Sequence, residues 1–136
     1  MPRAVFSRRV RRKAGGHMIT ETLFDGSLLY CDWVMMGQDC DLAVWGGTRP
    51  HIGSAVLSVA RPSLTGSGVS ATSSVLNLTG HKDEAVARLF AESVAKKLSC
   101  TAVCSCGIHL DGLSAEQLVS VRASCERLLA RVLASL

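Results

Sequence analysis

The hydrophobic period of this chain changes once, at Gly80, and that change limits the folds open to it. From His17 to Leu78, short apolar–polar alternations sit between turn signals, the mark of half-buried strands. Ile19–Phe24 and Leu28–Met36 flank Asp25-Gly26, a two-residue hairpin signal, and Gly37-Gln38-Asp39 makes the next turn. Leu42–Trp45 and Ala55–Ala60 follow, and a glycine- and serine-bearing turn from Arg61 to Gly68 leads into Val69–Leu78. Beyond Gly80, Val86, Leu89, Phe90, Val94 and Leu98 recur at three and four, predicting an amphipathic helix over about 82–98. Thr101–Ile108 returns to strand. Ser114-Ala115-Glu116-Gln117 is a capping-box pattern opening a helix with Leu118, Val121, Cys125, Leu128 and Val132 on one face. The expected fold is α+β. It combines an antiparallel β-meander, a β-α-β crossover and a C-terminal helix, with both helices on one face of a mixed sheet.

Bulk properties narrow the class. An apolar content of 48% with 19% charge describes a folded globular chain, and aromatics at 4% leave the core to Val, Leu, Ala and Met. No apolar run reaches the ~18 residues of a membrane span. The net charge of +4 belongs to one segment, since residues 1–13 carry Arg3, Arg8, Arg9, Arg11, Arg12 and Lys13 with no acid. Without those six charges the remainder is at −2. Residues 1–17 therefore read as a basic, disordered tail and 18–136 as a single domain, with Met18 an alternative start. The tail lacks the apolar stretch of a secretory signal, so the cytoplasm is the default. Nucleic-acid or membrane contact would rest on the tail alone, and neither partner is expected. Of the six cysteines none forms C-x-x-C. Cys100, Cys104 and Cys106 share parity on one predicted strand, and with Cys125 they read as small core residues.

Three segments pair histidine with glycine where a predicted strand ends: Gly46-Gly47-Thr48-Arg49-Pro50-His51-Ile52-Gly53, Gly80-His81-Lys82-Asp83, and Gly107-Ile108-His109-Leu110-Asp111-Gly112. In a meander followed by a crossover, the third, fifth and sixth strands point one way, so these junctions should share one edge of the sheet. Arg49, Lys82 and the amides near Gly46, Gly47 and Gly80 suit an anion such as phosphate. His51 adds a donor or a proton-transfer group, and Trp45 a flat surface for a ring system. His109 and Asp111 share strand parity and can form a hydrogen-bonded pair. His51, His81, His109 and Asp111 lack the H-x-x-x-H or H-x-H spacing of a metal site, and no metal is expected. G-x-S-x-G, Walker and dinucleotide-binding patterns are absent.

The order of these three motifs resembles the LpdD-like proteins, regarded as prenylated-flavin chaperones accompanying UbiD-type non-oxidative aromatic acid decarboxylases such as gallate decarboxylase. The resemblance covers roughly 18–136. It implies an accessory protein, not the decarboxylase itself, that helps a decarboxylase large subunit acquire or retain prenylated FMN, with a flavin prenyltransferase as a candidate second partner. The resemblance does not specify the contacts; the cofactor-binding set read from the three motifs is Trp45, Gly46, Gly47, Thr48, Arg49, Pro50, His51, Gly53, Gly80, His81, Lys82, His109 and Asp111, with no catalytic residue. The chain departs from a typical flavin carrier in having few aromatics to wrap an isoalloxazine. Two other readings stand beside it. One is a small acid–base enzyme in which Arg49 anchors a carboxylate or phosphate substrate while His51 and His109 move protons. The other is an interaction module with purely structural glycine loops. Finally, both sides of Val69–Leu78 are free of charge, which suggests self-association through the face the helices leave uncovered.

Overall fold

The computed structural model describes residues 17–78 and 83–136. Strands β1 (His17–Thr22), β2 (Leu28–Met36), β3 (Asp39–Gly47), β4 (Ser54–Pro62) and β5 (Val69–Asn77) precede helix α1 (Glu84–Leu98). Strand β6 (Thr101–His109) and helix α2 (Ala115–Ser135) complete the chain. All six strands form one mixed sheet in the order β1-β2-β3-β6-β4-β5. The α+β class, the crossover and the C-terminal helix are as expected. Strand order is where the chain departs from a continuous meander: β3 and β4 do not pair. Instead β6 inserts between them, parallel to β3 and antiparallel to β4. The β-α-β crossover from β5 to β6 thus passes over β4. Expected and observed strands otherwise overlap closely, with two local differences. β1 begins at His17, which pairs with Trp33, one residue ahead of the expected domain start. The first connection is longer than a two-residue hairpin: it runs from Leu23 to Ser27, closed by Leu23 N–H donating to Ser27 O at 2.8 Å. Leu23 turns inward there and is 2% exposed.

Alternation decides which sheet face is covered. Leu29, Cys31 and Trp33 on β2, Cys40, Leu42 and Val44 on β3, Ala102, Cys104 and Cys106 on β6, and Val56 on β4 are all buried. Their neighbours of opposite parity, such as Tyr30, Asp41, Ala43, Leu57 and Val59, are not. Helix α1 lies on the β6-β4-β5 part of the covered face and α2 on β1 and β2, the two helices touching each other. Ala87, Ala91 and Ala95, spaced by four, are fully buried beside Phe90 and Val94. An alanine column permits close approach of a helix to a sheet, and the sheet answers with small residues. Ser58 and Ser73 pair their hydroxyls at 2.8 Å beneath α1, and Ser73 donates to Glu92 at 2.7 Å, so the buried polar groups are satisfied. All six cysteines are buried free thiols, as core residues should be. Helix α2 opens on the expected capping box: Ser114 Oγ accepts from Gln117 N–H at 3.1 Å, and Gln117 Oε1 accepts from Ser114 N–H at 2.9 Å. Among the described residues no helix is long and apolar enough to cross a membrane.

Candidate functional site

Because β6 is antiparallel to β4 and β4 to β5, strands β3, β5 and β6 all run in one direction. Their carboxyl ends share an edge, and two of the three histidine–glycine junctions meet there directly. Gly47 lies beside His109 in the ladder, and Thr48 N–H extends it by donating to His109 O at 2.9 Å. The Thr48 hydroxyl donates to the same oxygen at 3.2 Å. From this anchored turn the Arg49 guanidinium reaches His109 Nε2 at 2.7 Å and Asp111 Oδ1 at 3.4 Å, while His109 Nε2 and Asp111 Oδ1 stand 2.8 Å apart. One ring nitrogen serves two contacts, so at any moment it either accepts from Arg49 or donates to Asp111. The bond from His109, reinforced by the charge of nearby Arg49, holds the Asp111 carboxyl below the usual carboxylate range. Arg49 and Asp111 remain largely in solvent, with side chains 69% and 77% exposed.

The third junction contributes through Asp83. Gly80, His81 and Lys82 lie outside the described residues. Asp83, which precedes α1, makes no side-chain cap to its own helix. Its carboxylate accepts from Ile108 N–H at 3.0 Å and stands 3.3 Å from His51 Nε2, with the Asp83 side chain only 8% exposed. His51 Nδ1 lies 3.0 Å from Arg49 O. Both ring nitrogens of His51 therefore face oxygen atoms. The His51 and His109 rings meet edge-on with centroids 6.2 Å apart. Two imidazole–carboxylate pairs thus stand side by side. Asp83 is absent from the expected binding set, although the Gly80–Asp83 motif contains it; the predicted helix over about 82–98 takes in this position, whereas α1 begins at Glu84.

The glycines serve the site differently from free amides around a loop. Gly46 and Gly47 belong to β3 and lie in its ladder with β6. Packing excludes a side chain at four positions. A Cβ on Gly46 would stand 2.2 Å from Leu28 O, and on Gly47, at φ +78°, 2.2 Å from His109 O. On Gly53 it would stand 2.1 Å from the Asp83 carboxylate, and on Gly107 1.6 Å from His51 O. The glycines let the His51 segment lie directly on the end of β6. Trp45 is placed on the uncovered sheet face, where Tyr30 stacks against it with centroids 5.3 Å apart and planes at 11°. Pro50 lies between Arg49 and His51 and is exposed. Among the described residues no three His, Cys, Asp or Glu side chains are grouped to hold a metal ion.

Below this cluster opens a cavity of about 530 Å³ that the sequence does not announce. Its apolar walls are Val86 from α1, Ile108 and Leu110 from the end of β6, and Leu113, Leu118 and Val121 at the start of α2; Asp83, His109 and Arg122 supply its polar atoms. Leu118 shares the helix face predicted as core, yet it is 55% exposed, because the N-terminal part of α2 borders the cavity. His109 belongs to both the polar cluster and the cavity, so the two form one continuous site. A volume of this size suits a small organic ligand, and apolar walls with a few convergent polar groups are the usual composition of such a site.

A mixed sheet backed by two helices, with a polar cluster over an apolar cavity at its carboxyl edge, defines a small α+β protein with a pocket on its helical side. The chain belongs to the prenylated flavin chaperone LpdD-like domain family, whose model matches residues 25–136. Among solved structures, a chain of a chaperone complex for yeast 20S proteasome assembly is similar with a TM-score of 0.53. It covers 88% of this chain and 96% of that one at 12% identity, a likeness of fold alone. A search of curated proteins finds no significant relative.

Proposed function

We propose that this protein is a non-catalytic accessory factor that binds prenylated FMN transiently and assists its acquisition or retention by a UbiD-type non-oxidative hydroxyaromatic acid decarboxylase. The observation that carries this reading is the convergence of Arg49, His51, His109, Asp111 and Asp83 at the mouth of an apolar cavity, in a chain of the prenylated flavin chaperone family. The residues fit such a ligand. Arg49, exposed and cationic, suits a phosphate; the imidazoles suit the polar ring edge; the cavity suits hydrocarbon. The solvent-facing cluster and the scarcity of aromatics favour hand-off over permanent retention. Native mass spectrometry after co-expression with a flavin prenyltransferase and a UbiD-type decarboxylase tests the reading. The expected result is a complex, or a bound mass matching prenylated FMN, that disappears in Arg49→Ala and His51→Ala. An empty protein that associates with neither enzyme would overturn it.

A second reading, an acid–base enzyme acting on an anionic substrate, is favoured by one observation: two His–carboxylate pairs whose rings are 6.2 Å apart. Turnover of a hydroxybenzoate-type compound by the isolated protein, lost in His109→Ala, would select it over the accessory role.

A further inference from the structure

We infer that the cavity between α1 and α2 is the subsite for the isoprenoid-derived carbons, and that it makes the protein selective for prenylated over unmodified FMN. This assignment rests on the flavin-handling reading above. The walls supply the reason. Val86, Ile108, Leu110, Leu113, Leu118 and Val121 present only hydrocarbon, so they have no complement for phosphate, ribityl hydroxyls or the pyrimidine edge of a flavin. Among the described residues, partners for those polar parts stand on the other side of His109, at Arg49 and His51. The polar groups of the lining are already engaged, Asp83 by Ile108 N–H and His51, and Arg122 by Glu126 at 3.0 Å. Unmodified FMN can use the polar cluster but has little hydrocarbon to place against these walls. A prenylated flavin carries five additional carbons, and burying them gains free energy with each methylene removed from water.

The exposure of Leu118 supports the same assignment. It is 55% exposed beside Val121 and Leu113, which are only partly covered. Leu118 also lies three residues before Val121 and ten before fully buried Leu128 on one helix, so the apolar stripe of α2 runs out of the core and into the cavity. A stripe continued past the point where the protein itself covers it needs an apolar occupant, and the polar cluster at its mouth selects one with an anionic or polar end.

Calorimetric titration of the full chain under anaerobic conditions, once with FMN and once with prenylated FMN, tests the assignment. The wild type is expected to prefer prenylated FMN by on the order of tenfold to a hundredfold, as burial of a few methylenes implies. Leu118→Trp, which fills the groove, and Leu118→Ser, which removes an apolar wall, should each reduce that preference to about twofold or less. Both substitutions fall at an exposed position, and circular dichroism checks that the fold survives. Equal affinity of the wild type for the two flavins would overturn this assignment while leaving the flavin-handling reading in place. So would a preference that persists in both variants. Failure of the wild type to bind either flavin would overturn both.

Discussion

Gly107 illustrates how a residue without a side chain determines a site. Histidines 51 and 109 come into register because the His51 carbonyl rests where a Cβ of Gly107 would be, at 1.6 Å. Gly107→Ala therefore cannot be absorbed by a side-chain rotation; backbone has to move. A loss of about 2–3 kcal/mol in urea unfolding is expected, because the His51 segment must lift from β6. The thiols give a second prediction. Burial pushes Cys31 and Cys125 up to about 12 and Cys40 up to about 11, and also raises Cys100, Cys104 and Cys106. An unfolded thiol ionises at about 8.5. Above that pH the unfolded chain releases protons that the folded chain keeps, so the unfolded state binds fewer and stability falls as pH rises. The stabilisation is complete below about pH 8.5 and is lost as pH rises towards 11–12. Urea midpoints at pH 8 and pH 10.5 should differ accordingly; an unchanged midpoint would mean that the thiols are accessible in the folded protein.

At the level of elements, local chemistry was largely legible in the sequence. The alternations of β2 and β5 and the three-and-four spacing of α1 correspond to elements in the structure, and Ser114 caps α2 through the predicted box. Pairing partners were less legible. Nothing in Thr101–His109 says that its neighbours are Asp39–Gly47 on one side and Ser54–Pro62 on the other, since both contacts join distant segments and all three strands are similarly apolar. The site divides in the same way. Arg49, His51, His109 and Asp111 were readable from composition at strand ends. Asp83 was not, because its carboxylate bonds across to β6 and not to its own helix, and the cavity was not, because Leu118 and Val121 share a stripe with true core residues. Ser99 yields a prediction proper to this level. It ends α1 with φ +50°, the left-handed conformation that glycine adopts without steric cost. Ser99→Gly is expected to stabilise the protein by about 0.5–1 kcal/mol, seen as a higher thermal midpoint, without altering ligand affinity.

The whole molecule has two unlike faces, one under helices and one bare. On the bare face Ala43, Ala55, Val103 and Ser105 form a small-residue centre bordered by Leu57 and Val59, which are 42% and 43% exposed. Five strands of nine residues and one of six, about 4.8 Å apart, present roughly 700–800 Å², close to what each partner contributes to a standard stable interface. We propose a second copy of this chain as the occupant, packed sheet to sheet. Analytical ultracentrifugation should give about twice the chain mass, and Leu57→Glu should give a folded monomer; a wild-type monomer at micromolar concentration would overturn the proposal. The order of the strands has one more consequence. β6 is the last strand to leave the ribosome, and it alone connects β1-β2-β3 with β4-β5. Until it is in place, β3 and β4 expose adjoining edges that have no partner, and Arg49 and His51 have neither His109 nor Asp111 to meet. Assembly of the candidate site at this edge must therefore wait for synthesis past residue 111, so a chain interrupted before that point has the Arg49 segment without the strand it docks on.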